Sequence, residues 1–271
     1  MKKQSIWKIF FLAIIVVVTS AIITINLQPD LIQIENLSFD EIPRAAIIDQ
    51  LHNDKPNKNY QQNVTKYLET AGYEVDLYTT DDITVDFYKK LPSLNYEFIV
   101  IRTHSLGIGE VEESSSLFTG EIYNHYDHIP EQYSRIVGHG VPFLPREVEE
   151  LGGLDALKDK TYFVVGSKFI DEVMVGTFPK SKIILAGCET TEGNHLVKSL
   201  LLRGASEVVG WDGLVSSRQN DEIILQVLEE TLVNGIELKD AVESVMKQYD
   251  QKLFTDTALS HYSTGATKSK D

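Results

Sequence analysis

A single cysteine, Cys188, stands in this chain of 271 residues. One cysteine excludes an internal disulfide and a cysteine-based zinc cluster. Positive charge is also scarce: 25 Lys and Arg against 40 Asp and Glu leave a formal charge of -15. Phosphate binding needs clustered cations, so nucleic acid is not an expected partner. There is no glycine-rich phosphate loop and no Asp-x-Asp motif, which leaves a membrane-bound transferase with a nucleotide-diphosphate donor unsupported. His125 and His128 bracket Asp127 in loop-like sequence with no helix to align them, so no metal is expected, and no cofactor. No internal repeat or low-complexity tract interrupts the chain. The length suits one α/β domain with an anchor or a tail.

The clearest segment is the first. Residues 9–25 carry no charge and are rich in Ile, Val, Phe and Ala, after Lys2, Lys3 and Lys8. Such a run is long enough to cross a bilayer, and the flanking lysines keep the N-terminus in the cytoplasm. Residues 1–26 are therefore expected to be a signal anchor, forming one transmembrane helix, with a cleaved signal peptide as the alternative. Either way the rest of the chain lies outside the cytoplasm. Residues 27–43 make a polar stalk. An unpaired cysteine in an exported domain oxidises unless it is buried or has work to do.

From residue 44 onward, strand and helix patterns alternate. Short apolar runs at 45–48, 98–101, 182–186 and 207–211 read as buried strands, each ending in a polar residue. Amphipathic helices are expected over 60–71, 85–91, 194–202, 221–233 and 238–249, several ended by Gly or Pro. Residues 106–180 are less regular, with hairpins, loops and a short helix near 147–151. Residues 264–271 read as a disordered tail. Strands alternating with helices imply a mostly parallel sheet covered on both faces. In such sheets ligands bind beyond the carboxyl ends of the strands. That places Asp49, His104, Cys188 and Asp212 on one rim.

A thiol beside an imidazole is a nucleophile in waiting, because the ring accepts the proton that blocks attack. Cys188 and His104 close two different strands. Backbone amides of Ser105 and Cys188, in or beside the turn that leads to Gly107, are expected to face a developing oxyanion.

The sequences FIVIRTHS around His104 and KIILAGCET around Cys188 resemble the strand-end motifs of the caspase-like clan of cysteine peptidases: caspases, metacaspases, legumains, clostripain and the gingipains. The stretch LLLRGASEVVGWDGLVSS is similar to the strand after the nucleophile helix in bacterial and archaeal members. The resemblance spans roughly residues 44–249. It implies a three-layer caspase-like fold over residues 44–263, an irregular insertion at 106–180, and a Cys188–His104 dyad acting on a peptide or protein substrate. In that clan His is usually followed by Gly, whereas Ser105 follows here, and His139-Gly140 offers a rival pair. The strand ends that line the clan's specificity pocket carry Asp49 and Asp212, with Trp211 as a wall, which implies a preference for Arg or Lys before the cleaved bond. The alternative is an inactive caspase-like module that binds or scaffolds at a membrane surface.

Overall fold

The computed structural model describes residues 42–105, 107–109, 115–142, 161–249 and 257–264. The apolar segment 9–25, the stalk up to residue 41, the short helix expected near 147–151 and the tail from 265 lie outside the described residues. Among the described residues no helix is long and apolar enough to cross a membrane.

A six-stranded sheet forms the centre. Its strands are β1 (Arg44–Asp49), β2 (Glu74–Thr79), β3 (Phe98–Arg102), β8 (Lys182–Ala186), β9 (Glu207–Trp211) and β10 (Leu259–Ser263). Their spatial order is β10-β9-β8-β3-β1-β2, and every pairing is parallel except the antiparallel β10 at one edge. Alternate residues of each strand feed opposite cores, as the period of two requires. Ala46, Ile48, Ile99, Ile101, Ile183 and Leu185 pack on one face. Ala45, Ile47, Phe98, Val100, Ile184 and Val209 pack on the other. Burial on both faces explains why these strands read as unbroken apolar runs rather than as alternating ones.

Helices cover each face. Helices α2 (Val85–Lys90), α4 (Ser167–Glu172) and α5 (His195–Leu202) lie over the first core. Helices α1 (Lys58–Thr70), α6 (Ser217–Leu228) and α7 (Leu238–Tyr249) lie over the second. Two caps matter for the site. The Asn57 side chain accepts from the Tyr60 amide at the start of α1, and the Ser216 side chain accepts from the Gln219 amide at the start of α6. The second cap starts α6 four residues earlier than its apolar pattern implies, which puts Asn220 and Asp221 in the helix's first turns. The end of the expected helix is a π-type turn, Glu229–Val233.

The irregular insertion contains a sheet of its own. Strands β4 (Gly107–Gly109), β5 (Leu117–Ile122), β6 (Val137–Pro142) and β7 (Tyr162–Val165) pair antiparallel in the order β4-β6-β7-β5, and α3 (Ile129–Tyr133) joins β5 to β6. The segment leading into β5 lies along the chain that leaves β3: the amides of Ser116 and Phe118 donate to the carbonyls of Ser105 and His104.

Candidate active site

Strands β3 and β8 are nearest neighbours, with Arg102 opposite Ala186 in the ladder. The chain continues from both into the same rim, where the Thr103 amide donates to the Ala186 carbonyl at 3.2 Å. Gly187 makes this closeness possible. A Cβ there would lie 2.4 Å from the Thr103 carbonyl oxygen, so no larger residue fits without moving backbone. The Ser105 hydroxyl donates to the Cys188 carbonyl, tying the two strand ends together. Thr190 completes the turn: its Oγ1 accepts from the Trp211 amide at 3.1 Å and donates to the Gly187 carbonyl at 3.3 Å.

A cleft of about 170 Å³ opens at this junction. It has room for an amino-acid side chain rather than for a folded surface. His104, Ser105 and Cys188 line it, together with Leu51, Lys55, Leu214 and Val215. His104 is held from several sides. Its amide donates to Gln50 Oε1 at 3.1 Å, and its ring lies edge-on to Phe118 at 6.0 Å. Its Nε2 lies 2.9 Å from Asp54 Oδ2, so this carboxylate fixes the ring's orientation. Of His104 and His139, only His104 lines the cleft. His139 sits in β6 of the second sheet, stacked on Tyr123 with ring centroids 4.2 Å apart.

The Cys188 sulfur is engaged by the loop after β9. Its S–H donates to the Val215 carbonyl at 3.2 Å, and the Val215 amide reaches the sulfur at 3.5 Å. Burial pushes the thiol up; the Val215 backbone contact opposes this and the charge of Glu189 adds to it, with a net upward shift. Glu189 follows in the left-handed region at φ 52°, held there by its amide's bond to the Gly213 carbonyl at 3.0 Å. The resting group is therefore a neutral thiol. Alkylation by iodoacetamide, followed against pH beside free glutathione, should show its midpoint on the alkaline side of glutathione. A midpoint on the acid side would mean that a thiolate–imidazolium pair already exists at rest.

The three residues expected to bind substrate do not reach the cleft. Asp49 is fully buried, because its in-register neighbour is Arg102. Its Oδ1 takes Arg102 Nη1 at 2.8 Å and its Oδ2 takes Gln61 Nε2 at 2.7 Å. Trp211 is fully buried and donates from Nε1 to Asn220 Oδ1 at 2.9 Å. Asp212 is exposed, but its Oδ1 accepts from the Ala258 amide at 2.7 Å and anchors the approach to β10. The Arg or Lys pocket expected from Asp49 and Asp212 is not assembled.

Sequence reasoning passed over Arg102 and Asp54. Arg102 is 1% exposed and donates to Asp221 through Nε at 2.7 Å and Nη2 at 2.9 Å, to Asp49, and to the Lys55 carbonyl at 2.8 Å. Its guanidinium lies over the Tyr60 ring at 5.3 Å. Burial alone would lower its proton affinity, but the hydrogen bond and charge of Asp221 and the charge of Asp49 outweigh that and raise it. Among the described residues no group of three or more His, Cys, Asp or Glu could hold a metal ion.

In comparisons with known proteins, no family model and no curated protein sequence matches this chain. Among solved structures it is similar to the Drosophila initiator caspase Dronc, with a TM-score of 0.40 and 11% identity, over 81% of this chain and 77% of that one.

Proposed function

We propose that this chain is a cysteine endopeptidase with a three-layer caspase-like fold, tethered to a membrane by its N-terminal apolar segment, with the peptidase domain outside the cytoplasm. One observation carries the reading: Cys188 and His104 close adjacent parallel strands and line the same cleft. A peptide carbonyl seated there meets a thiol on one side and an imidazole on the other.

The chemistry follows from those groups. His104 takes the thiol proton, and the sulfur attacks the carbonyl carbon as the C=O π pair moves onto oxygen. The amides of Ser105 and Cys188 face that oxyanion. Collapse of the adduct breaks the C–N bond, and the imidazolium gives its proton to the departing amine. Water, deprotonated by His104, then cleaves the thioester and restores the thiol. Asp54 holds the ring for both transfers. Because the resting sulfur bonds to Val215, substrate entry beside Leu214 and Val215 must turn it towards His104. The preference for Arg or Lys is not carried forward, since its two carboxylates lie away from the cleft.

The same cleft could instead bind peptides without cutting them, and the resting neutral thiol favours that second reading. Incubating the full chain with a mixed-sequence peptide library separates the two. New peptide termini found by mass spectrometry with wild type and absent with Cys188→Ala support the peptidase. The same set of termini from both, or none from either, contradicts it.

A further inference from the structure

We propose that the end of the central sheet opposite the cleft rests on a lipid bilayer through apolar side chains in its turns, so that the cleft opens into water on the far side. The bilayer is the one supplied by the tether reading above; the apolar face rests on the described residues alone.

Five of the eleven large apolar residues that stand exposed among the described residues lie at this one end: Ile42, Val175, Leu202, Val233 and Ile236. The topology gathers them. Strands β1, β2, β3, β8 and β9 run parallel, so all begin at the same end, and α5 and α6, which return from the carboxyl ends of β8 and β9, finish there. Backbone bonds tie the strand starts together: the Glu97 amide donates to the Arg44 carbonyl and the Lys182 amide to the Glu97 carbonyl, both at 2.8 Å. Ile42 leads into β1. Val175 lies in the turn between α4 and β8, where the Phe178 amide donates to the Arg203 carbonyl at 2.9 Å. Leu202 ends α5 and is 86% exposed. Val233 closes the π-type turn, and Ile236 follows it before α7. Turns are ordinarily polar, so an apolar side chain exposed at each of three turns and at the entry to β1 marks a surface that meets something apolar. The occupant follows from the course of the chain. Residues 9–25 carry no charge, and only residues 26–41 separate them from Ile42. That stretch spans at most about 55 Å, so a bilayer holding residues 9–25 stays within reach. Docking on it is then intramolecular, and a few side chains suffice. The exposed charges at this end are of both signs, Lys90 and Lys180 among Glu97, Glu172 and Glu237. Carboxylates are in the majority, so an anionic surface is repelled and the lipid is zwitterionic. The cleft lies beyond the other ends of the same strands, about 20 Å away by the length of β1 alone. A peptide therefore reaches it from the aqueous side.

The test places the photoreactive side chain of benzoylphenylalanine at Leu202, at Ile236 or at Tyr133 of the full chain, which is reconstituted with phosphatidylcholine vesicles and irradiated. Tyr133 is the contrast: it is as exposed as Leu202 but belongs to α3 of the insertion. Mass spectrometry should find one phosphatidylcholine added at Leu202 and at Ile236, about tenfold more often than at Tyr133. The yield should hold as salt rises from about 50 to about 500 mM, because apolar burial is not screened. Lipid on Tyr133 but not on Leu202, a crosslink from Leu202 to a second copy, no adduct at either turn position, or a yield that collapses in salt would overturn the proposal. Flotation of the vesicles after an alkaline wash reads the tether separately. Chain retained by the vesicles without lipid on Leu202 removes the docking and leaves the tether. Lipid on Leu202 of chain that the wash strips off removes the tether and leaves the docking.

Discussion

His104→Ala is expected to lower kcat/KM for peptide hydrolysis by about 10²–10⁴-fold, equivalent to about 3–5 kcal/mol of transition-state stabilisation. The size follows from the number of proton transfers the ring serves: one from the thiol, one to the amine and one from water. The loss should be larger than the upward shift of the thiol alone would produce, because without the ring the departing amine loses its imidazolium proton donor. Asp54→Asn should give a smaller fall with KM little changed, since the amide still contacts the ring but orients it less firmly. His139→Ala should leave the rate essentially unchanged, because that ring packs on Tyr123 in the second sheet. Steady-state kinetics on the three variants, each with unaltered far-UV circular dichroism, checks the set. A large loss in His139→Ala, with His104→Ala close to wild type, would transfer the base to the second sheet.

Arg102→Met is expected to cost about 3–5 kcal/mol of folding stability, read from urea unfolding. Arg102 and Asp49 are side by side at the ends of β3 and β1, and Asp221 reaches them from α6. Removing the guanidinium strands two buried carboxylates and leaves the Lys55 carbonyl without its donor. Methionine matches much of the volume, so the loss would come from charge rather than from a cavity. The triple variant Arg102→Met, Asp49→Leu, Asp221→Leu should recover most of the stability, because a whole buried ion cluster is far cheaper to replace than to halve. A loss below about 1 kcal/mol in Arg102→Met would show that water already reaches the cluster. Activity should fall along with stability in the single variant, since the turn carrying Asp54 and Lys55 hangs from Arg102.

The central architecture was legible because strands buried on both faces are spelled as uninterrupted apolar runs, and Phe98–Arg102 and Lys182–Ala186 are such runs. Their polar ends named His104 and Cys188 without any coordinates. The second sheet was harder to read. Val137–Pro142 contains two glycines and a proline, and its pairing with β4 and β7 is not written in any local pattern. The substrate residues were misplaced for a related reason. Asp49 ends its strand as the sequence says, but strand register is a tertiary property, and register sets it beside Arg102. Arg102 escaped notice because it closes an apolar strand and looks like its boundary. Asp54 lies fifty positions before His104 in a polar loop, and only folding shows that the two meet.

The claim at the centre of this account is that Cys188 attacks a carbonyl-type centre with His104 as its proton acceptor. The direct test is to treat the full chain with peptidyl acyloxymethyl ketones and map the adduct by mass spectrometry in wild type, His104→Ala and His139→Ala. The account predicts a thioether on Cys188 in wild type and in His139→Ala, and a much slower reaction in His104→Ala. A folded wild-type protein that stays unlabelled, or labelling of Cys188 at the same rate without His104, would contradict it.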